Sequence, residues 1–170
     1  IGTSSTRRRA FLRHFYPQHT AVEMRGNLQT RLEKLKNGEC DAMLLAFAGV
    51  HRMEMESYIT QHLSLDQFVP AVGQGSVAIQ CALTLDAEVK ELIRKACNHP
   101  ATEATLLAER HLLAHLEGGC SVPVYGHAIH QNGQLTLQAG VLSLDGVENI
   151  VHSATGSDPA HLGKEVAMEL

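Results

Sequence analysis

The fold class is decided by residues 1–46, whose sequence is IGTSSTRRRAFLRHFYPQHTAVEMRGNLQTRLEKLKNGECDAMLLA. Short strand-like segments alternate here with helical patterns, and the continuous apolar run Ala42–Ala46 is typical of a buried parallel strand. The predicted strands are Ile1–Thr3, Ala21–Met24 and Ala42–Ala46. Helices are predicted between them, over Thr6–Phe15 with Ser4 or Ser5 as its cap and from Asn27 to about Lys36. This alternation predicts a parallel α/β domain.

The second half of the chain has a different periodicity. Polar and apolar residues alternate with a period of two after Gly118-Gly119, which predicts antiparallel strands joined by tight turns. These strands are Val122–Ile129, Gln134–Leu142 and Asn149–Ala154, with hairpin signals at Asn132-Gly133 and Asp145-Gly146. A small α+β domain with a three-stranded antiparallel sheet is therefore expected after the α/β domain.

Further helices are predicted from capping signals. Ser64 and Gln67 have capping-box spacing, Asp86 precedes a helical pattern that extends to about Ala96, and Thr102 precedes another over residues 103–116. Residues 98–102 are the best candidate for a linker, and Ser157-Asp-Pro159 begins a last helix. Ile1 lies in what the pattern indicates is the end of a strand, and the last helical pattern reaches Leu170 without a stop signal. We therefore expect a piece of a longer protein.

Composition and charge limit the possible functions. The net charge is −4, yet residues 1–36 hold eight of the 14 Lys and Arg residues and two of the 18 acidic residues. One basic region in an acidic chain is typical of a localised anion site, whereas nucleic-acid binding usually requires a basic domain. The uncharged stretch Ala42–Val50 is only nine residues long, and a membrane span needs ~20. Four widely spaced cysteines favour a reducing, cytoplasmic compartment.

Five arginines share one kind of position in the predicted fold. They lie at helix starts or directly after strands, where ligands of open α/β sheets bind, and they are Arg7, Arg8, Arg25, Arg31 and Arg52. The guanidinium group pairs with carboxylates and phosphates through two parallel hydrogen bonds. The set predicts a site for a ligand with several carboxylates or phosphates.

A thiol lies in a glycine loop, Leu116-Glu-Gly-Gly-Cys-Ser-Val-Pro123. Cys120 in this loop is a candidate for covalent chemistry, although a free cysteine is also commonly a small buried apolar residue. His111 and His115 are one helical turn apart, but no third ligand follows at a defined spacing, so no metal site is predicted.

Four segments in order resemble porphobilinogen deaminase, also called hydroxymethylbilane synthase. They are Ile1–Arg8, Met24–Leu32, Val72–Gly75 and Leu116–Pro123, and Ala46–Gly49 and Ala108–Arg110 fit as well. The resemblance implies a transferase of haem (porphyrin) biosynthesis, which condenses four porphobilinogen molecules into hydroxymethylbilane and releases ammonia. It also implies a dipyrromethane cofactor, held by a thioether at the position of Cys120. The parallel α/β part of this chain resembles a lobe of periplasmic-binding-protein type.

The resemblance assigns further residues of this chain. Cofactor contacts fall to Arg7, Arg8, Arg25, Gly26, Thr3, Ser4, Ser5 and Gln74, and contacts to the substrate and growing polypyrrole chain to Arg31 and Arg52. The family's catalytic aspartate belongs to an N-terminal domain, and no aspartate of this chain lies in a matching motif. No catalytic residue is therefore assigned here, and the chain alone is expected to be inactive. Glu54 departs from the family, which usually has glycine there.

The resemblance also divides the chain. Residues 1–75 correspond to the arginine-rich second domain, 76–97 to a segment that returns to the absent first domain, and 98–170 to the C-terminal domain. The apolar side of Val77–Leu83 should then be exposed, which predicts association of this chain although the full enzyme is expected to be monomeric. Two alternatives stay open, a small-anion-binding module without catalysis and an inactive regulatory relative of the enzyme.

Overall fold

A computed structural model describes residues 1–116 and 122–170. Its helices are α1 (Thr6–Phe15), α2 (Leu28–Lys36), α3 (Phe47–Arg52), α4 (Ala87–Cys97), α5 (Pro100–His115) and α6 (Pro159–Met168), with a short 3-10 helix at Glu56–Tyr58. Its strands are β1 (Val124–Gln131), β2 (Gln134–Leu142) and β3 (Asn149–Gly156). The chain thus has the predicted α/β character, with one three-stranded antiparallel sheet near its C-terminus.

The predicted parallel strands form a minimal arrangement around Gly2. This residue pairs in parallel with Val22 on one side and with Met43 on the other. The amide of Gly2 donates to the carbonyl of Ala42 at 2.7 Å, and the amide of Thr3 donates to that of Val22 at 2.9 Å. The order and direction agree with the prediction, but its strand lengths were wrong because the pairing is limited to these isolated bridges. After Met43 the chain turns into α3, in which the amides of Gly49 and Val50 donate to the carbonyl of Ala46.

Local capping explains why the first two helices begin where the sequence predicts. The Ser5 hydroxyl accepts from the amide of Arg8 at the start of α1, and the Asn27 carboxamide accepts from the amide of Thr30 at the start of α2. Each cap satisfies one of the amides that have no partner within the helix. The helix α1 has the predicted bounds.

Two capping predictions were wrong. Residues 65–67 form a turn, because the Ser64 hydroxyl donates to Asp66 and accepts from the Asp66 amide and so stabilises a local turn. Thr102 is not the cap of α5. That helix begins at Pro100 with His99 as its cap, since proline is favoured in the first helical turn. The predicted linker therefore shortens to the two residues between α4 and α5.

The antiparallel sheet has the order β1–β2–β3 and carries α5 and α6 on one face. The β1–β2 turn uses Asn132 and Gly133, both with positive φ (52° and 77°), as a two-residue hairpin requires. Strand β1 starts two residues later than predicted and extends to Gln131. The core between the helices and the sheet consists of Ala108, Leu112, Ala128, Leu135, Leu137, Ala139, Leu162, Val166 and Ala167. No described helix has the length and apolar character to cross a bilayer.

The opposite face of the sheet packs against α1 through Tyr125. The rings of Phe11 and Tyr125 lie 5.0 Å apart between centroids, and the Tyr125 hydroxyl donates to Asn149 at 2.8 Å. Gly140 on the neighbouring strand leaves the space that the Tyr125 ring occupies, since a Cβ there would overlap its phenol group. A second core thus includes residues of both parts of the chain: Ala10, Phe11, Leu12, Phe68, Val69, Tyr125 and Leu142.

The loop between β2 and β3 reinforces this contact. Arg13 donates to the carbonyl of Leu144, and the Nδ1 atom of His14 lies 2.7 Å from the carbonyl oxygen of Gly146. Gly146 has φ 76°, and a Cβ there would approach the backbone of Ala10 and His14 within 3.0 Å. The middle and the C-terminal end of α1 are therefore held by the C-terminal part of the chain.

Segment 76–97, in contrast to this core, is mostly exposed. Helix α4 contains no buried residue, and the side chains of Val77 and Leu83 are 78% and 97% exposed. These apolar side chains are not covered by any other described part of the chain.

We predict that Gly140→Ala destabilises the fold. The added methyl group must displace the buried Tyr125 ring, and such overpacking typically costs ~1–3 kcal/mol in the free energy of unfolding. Urea denaturation followed by circular dichroism measures the change. Gly49→Ala is the control, because a Cβ at Gly49 in α3 meets no other atom within 4 Å. Equal stability of both variants would contradict the packing described for Tyr125.

Candidate anion site and cofactor-binding segments

The loop before α1 is held by hydroxyl groups. The Ser4 hydroxyl donates to the carbonyl of Met24 and accepts from its amide, both at 2.9 Å. Thr3 is buried and accepts from the amide of Ser5 at 3.3 Å, while the Ser5 hydroxyl caps α1. In this structure the three hydroxyls therefore bond to the protein backbone and fix the position of the N-terminus of α1.

Arg7 and Arg8 extend from the first turn of α1. Arg7 is only 8% exposed, and its guanidinium donates to the carbonyl of Val69 at 2.5 Å and lies 5.7 Å from the Phe11 ring centroid. The guanidinium of Arg8 donates to the carbonyl of Leu44 at 2.8 Å. Among the described residues each guanidinium bonds one backbone carbonyl, and a guanidinium has five N–H donors in all.

The charges of these arginines oppose one another. Burial lowers the pKa of Arg7 to about 10, and the charge of Arg8 contributes to this shift. Burial also lowers the pKa of Arg8, with a contribution from the charge of Arg31. Arg31 itself donates through Nε to the carbonyl of Gly26 at 2.7 Å. The fold thus brings Arg7, Arg8 and Arg31 into one cationic cluster, in which a bound anion would relieve the repulsion.

Arg25 and Arg52 have different surroundings. The Nε atom of Arg25 donates to the carboxylate of Glu23 at 2.6 Å, and both side chains are exposed. Arg52 is exposed at the end of α3, two residues before Glu54, which has φ 54°. That backbone conformation favours glycine. Neither arginine lines the cavities described next.

Two cavities adjoin the cationic cluster. The larger, of about 540 Å³, has Arg7 and Arg8 in its wall together with apolar residues of α2 and of the segment 42–50. Gln74, Gly75 and His127 also line it. The smaller, of about 270 Å³, is lined by Gly26, Asn27, Leu28, Arg31, Leu45, Ala46, Gly49 and Val50. Apolar walls with guanidinium groups suit a ligand that combines a flat apolar body with carboxylates.

Glu109 is a site-adjacent residue to which the sequence analysis assigned no role. Its buried carboxylate accepts from the amide of Gly73 at 2.7 Å and from that of Ala128 at 2.9 Å. Burial raises the pKa of this carboxyl group, although both hydrogen bonds and the neighbouring His127 act in the opposite direction. The feature of the sequence that could have indicated a buried carboxylate is the position of this acidic residue between Ala108 and Leu112, on the apolar side of α5.

Cys120 and the glycines before it lie outside the described residues. In sequence they fall between the end of α5 and the start of β1. Of the other cysteines, Cys40 is buried, Cys81 is half-buried and Cys97 is exposed.

These features define an α/β part with a candidate anion-binding site formed by arginines, followed by a small α+β part. The family model for "Porphobilinogen deaminase, dipyromethane cofactor binding domain" matches residues 1–91, and that for "Porphobilinogen deaminase, C-terminal domain" matches residues 103–170. The chain therefore belongs to the porphobilinogen deaminase family. Dipyrromethane is the cofactor of the domain that the first model describes.

Curated relatives agree with this membership. The chain is 51% identical to the porphobilinogen deaminase of Cytophaga hutchinsonii over 172 residues, which is 100% of the chain and 55% of that protein. It is 50% identical to that of Desulfosudis oleivorans (92% of the chain, 51% of that protein) and 45% identical to that of Synechococcus elongatus (100% and 53%). The chain thus spans about half the length of these relatives.

We predict that Arg7→Met destabilises the chain by ~1–3 kcal/mol, because the buried carbonyl of Val69 loses its charged hydrogen-bond donor. Guanidinium chloride denaturation measures the difference in the free energy of unfolding. Arg9→Met on the same helix is the control, since the described structure shows no hydrogen bond from the Arg9 side chain. An Arg7→Met chain more stable than the wild type would mean that burying the charge costs more than its hydrogen bond contributes.

Proposed function

We propose that this chain supplies the cofactor-binding and polypyrrole-binding part of a porphobilinogen deaminase in tetrapyrrole biosynthesis. The supporting observation is the cluster of Arg7, Arg8 and Arg31 beside apolar cavities. Each pyrrole unit of the substrate carries an acetate and a propionate group, so a growing chain of pyrroles is a polycarboxylate. Its carboxylates would neutralise the mutually repelling guanidinium groups, and its rings would occupy the apolar part of the site.

Different residues would contact different parts of the ligand. Arg7 and Arg8 would hold cofactor carboxylates from the first turn of α1, assisted by Thr3, Ser4, Ser5 and Gln74. Arg31 would hold a substrate carboxylate beside Gly26. Arg25 and Arg52 would join the set when the ligand displaces the exposed Glu23 carboxylate from Arg25 and reaches the end of α3. Cys120 would form the thioether tether.

These groups position and neutralise rather than transfer protons. When bound, dipyrromethane supplies the terminal pyrrole to which new units are added. The arginines orient the acidic side chains of that ligand by bidentate hydrogen bonds, which places the reacting end without covalent participation of the arginines. Proton transfer to the leaving ammonia needs a carboxyl group, which we assign to a domain outside these 170 residues. The chain alone would then be inactive.

The domain division belongs to the same proposal. Residues 1–75 would form a domain of periplasmic-binding-protein type, residues 98–170 would form the C-terminal domain, and residues 76–97 would pack against a further domain of the enzyme. The exposure of Val77 and Leu83 supports this role for the segment. Such a division accounts for the lack of buried residues in α4.

A chimera tests the proposed function. This chain would replace the matching residues of the Cytophaga hutchinsonii relative, and intact-mass spectrometry with peptide mapping would follow the purified protein. We expect an adduct of two pyrrole units on Cys120 and the formation of hydroxymethylbilane from porphobilinogen.

Cysteine variants of the chimera provide the controls. Cys120→Ser should abolish both the adduct and turnover, whereas Cys97→Ser, at an exposed position on α4, should keep both. A folded chimera that carries no adduct would contradict the proposal. If this chain nevertheless bound porphobilinogen, the small-anion-binding module would become the better interpretation.

The arginine cluster is tested on the chain alone by calorimetric titration with porphobilinogen. We predict that Arg8→Met weakens binding by roughly ten- to a hundredfold, because a charged hydrogen bond worth roughly 1.5–3 kcal/mol is lost. Arg9→Met should bind like the wild type. Equal binding by both variants would exclude Arg8 from the site.

A further inference from the structure

A buried carboxylate connects three elements of the chain behind the larger cavity. Glu109 extends from the middle of α5 and is only 5% exposed. Its Oε2 atom accepts from the amide of Gly73, and its Oε1 atom accepts from the amide of Ala128 on β1. The two acceptor bonds therefore lead to residues that are far apart in sequence, one in each of the family's two domains.

Both anchored residues adjoin the cavity wall. Gly73 immediately precedes Gln74 and Gly75, which line the cavity with Arg7 and Arg8. Ala128 immediately follows His127, which lines the same cavity. Gly73 and Gly75 have φ values of 72° and 89°, a conformation that glycine adopts freely and that does not by itself hold the loop in one shape. The amides of Gln74 and Ser76 bond to carbonyls within the loop. The Glu109 carboxylate adds an acceptor from outside the loop, which ties it to α5.

Burying a carboxyl group costs free energy. A residue that only filled space at this position would therefore be expected to be apolar. Desolvation disfavours the charged form of Glu109, which an apolar side chain of similar volume would avoid. The carboxyl group offers two acceptor atoms, whereas a glutamine side chain offers one acceptor and would direct its amino group at the second amide. Only a carboxylate can accept from both backbone amides at once.

We infer that Glu109 is a positioning residue, which holds the loop 73–75 and strand β1 together so that Gln74, Gly75 and His127 form one wall of the polypyrrole-binding cavity. This inference rests on the proposed function. Glu109 itself lies behind the wall and would not contact the ligand.

Of the described elements that pack against α5, helix α6 carries His161, Lys164 and Glu165, all of them exposed. On β1 the Nδ1 atom of His127 lies 3.8 Å from Oε1 of Glu109. Residues 72–75 of the packed loop carry no charged side chain, and Arg110 and His111 are the charged neighbours of Glu109 in sequence on α5. A protonation step seen at the two anchored amides is therefore assigned to Glu109 or to His127, and variants of each distinguish the two.

The first test is nuclear magnetic resonance of the wild-type chain, which requires no variant to fold. The amide shifts of Gly73 and Ala128 should follow one common midpoint, above the ordinary range of a glutamate carboxyl group. His127→Gln should keep this shared step. Independent midpoints, or no titration at either amide, would overturn the inference.

The second test compares Glu109→Gln with Glu165→Gln, an exposed position on α6, in hydrogen exchange and in porphobilinogen titration. Glu109→Gln should speed exchange at Gly73 and Ala128 and weaken porphobilinogen binding about tenfold, and Glu165→Gln should change neither. If the wild type binds and Glu109→Gln binds equally well, the positioning role is wrong and the proposed function stands. A different outcome is that the wild type does not bind porphobilinogen although the amides of Gly73 and Ala128 are protected from exchange. The proposed function would then be wrong, and the positioning role for this ligand would be wrong with it.

Discussion

The packing of Phe11 on Tyr125 is the contact that holds α1 and its arginines against the antiparallel sheet. Phe11 belongs to the helix that carries Arg7 and Arg8, and Tyr125 belongs to the strand that follows the cysteine loop in sequence. The missing side chain of Gly140 permits the contact, and the bonds of Arg13 and His14 to the β2–β3 loop hold α1 in place. The two domains that the family models match separately thus share one core. The contact fixes the position of α1, and with it the arginine cluster, relative to the antiparallel sheet.

The charges of the arginine cluster repel one another within this fold. Arg7 is buried beside Arg8, and Arg31 adds a third charge, so the pKa values of Arg7 and Arg8 are lowered from their ordinary values. Charges that repel in the free protein and are neutralised by a polycarboxylate favour the bound state over the free state. Under the proposed function, the basic region of this otherwise acidic chain would be a local site with apolar walls.

Local signals in the sequence predicted much of the fold. The caps Ser5 and Asn27 and the turn at Asn132-Gly133 specify their elements within a few residues, and the structure agrees with each of them. Elements that depend on distant partners were predicted less well. The parallel strands are reduced to bridges at Gly2, and Ser64 bonds Asp66 instead of capping a helix.

The candidate site shows the same division between local and long-range signals. The placement of Arg7, Arg8 and Arg31 near strand ends and helix starts was predictable, because the α/β topology brings those positions together. The pairing of Arg25 with Glu23 depends on side-chain conformation, which the sequence pattern does not specify. The role of Glu109 depends on contacts with Gly73 and Ala128, at separations of 36 and 19 residues, and required the folded arrangement.

Differential scanning calorimetry of the chain tests the shared core most directly. If Phe11 and Tyr125 join the two parts into one cooperative unit, the chain unfolds in a single transition whose calorimetric and van't Hoff enthalpies agree. Two separate transitions, or a calorimetric enthalpy well above the van't Hoff value, would show that the parts unfold independently. In that case α1 would not fix the arginine cluster relative to the antiparallel sheet.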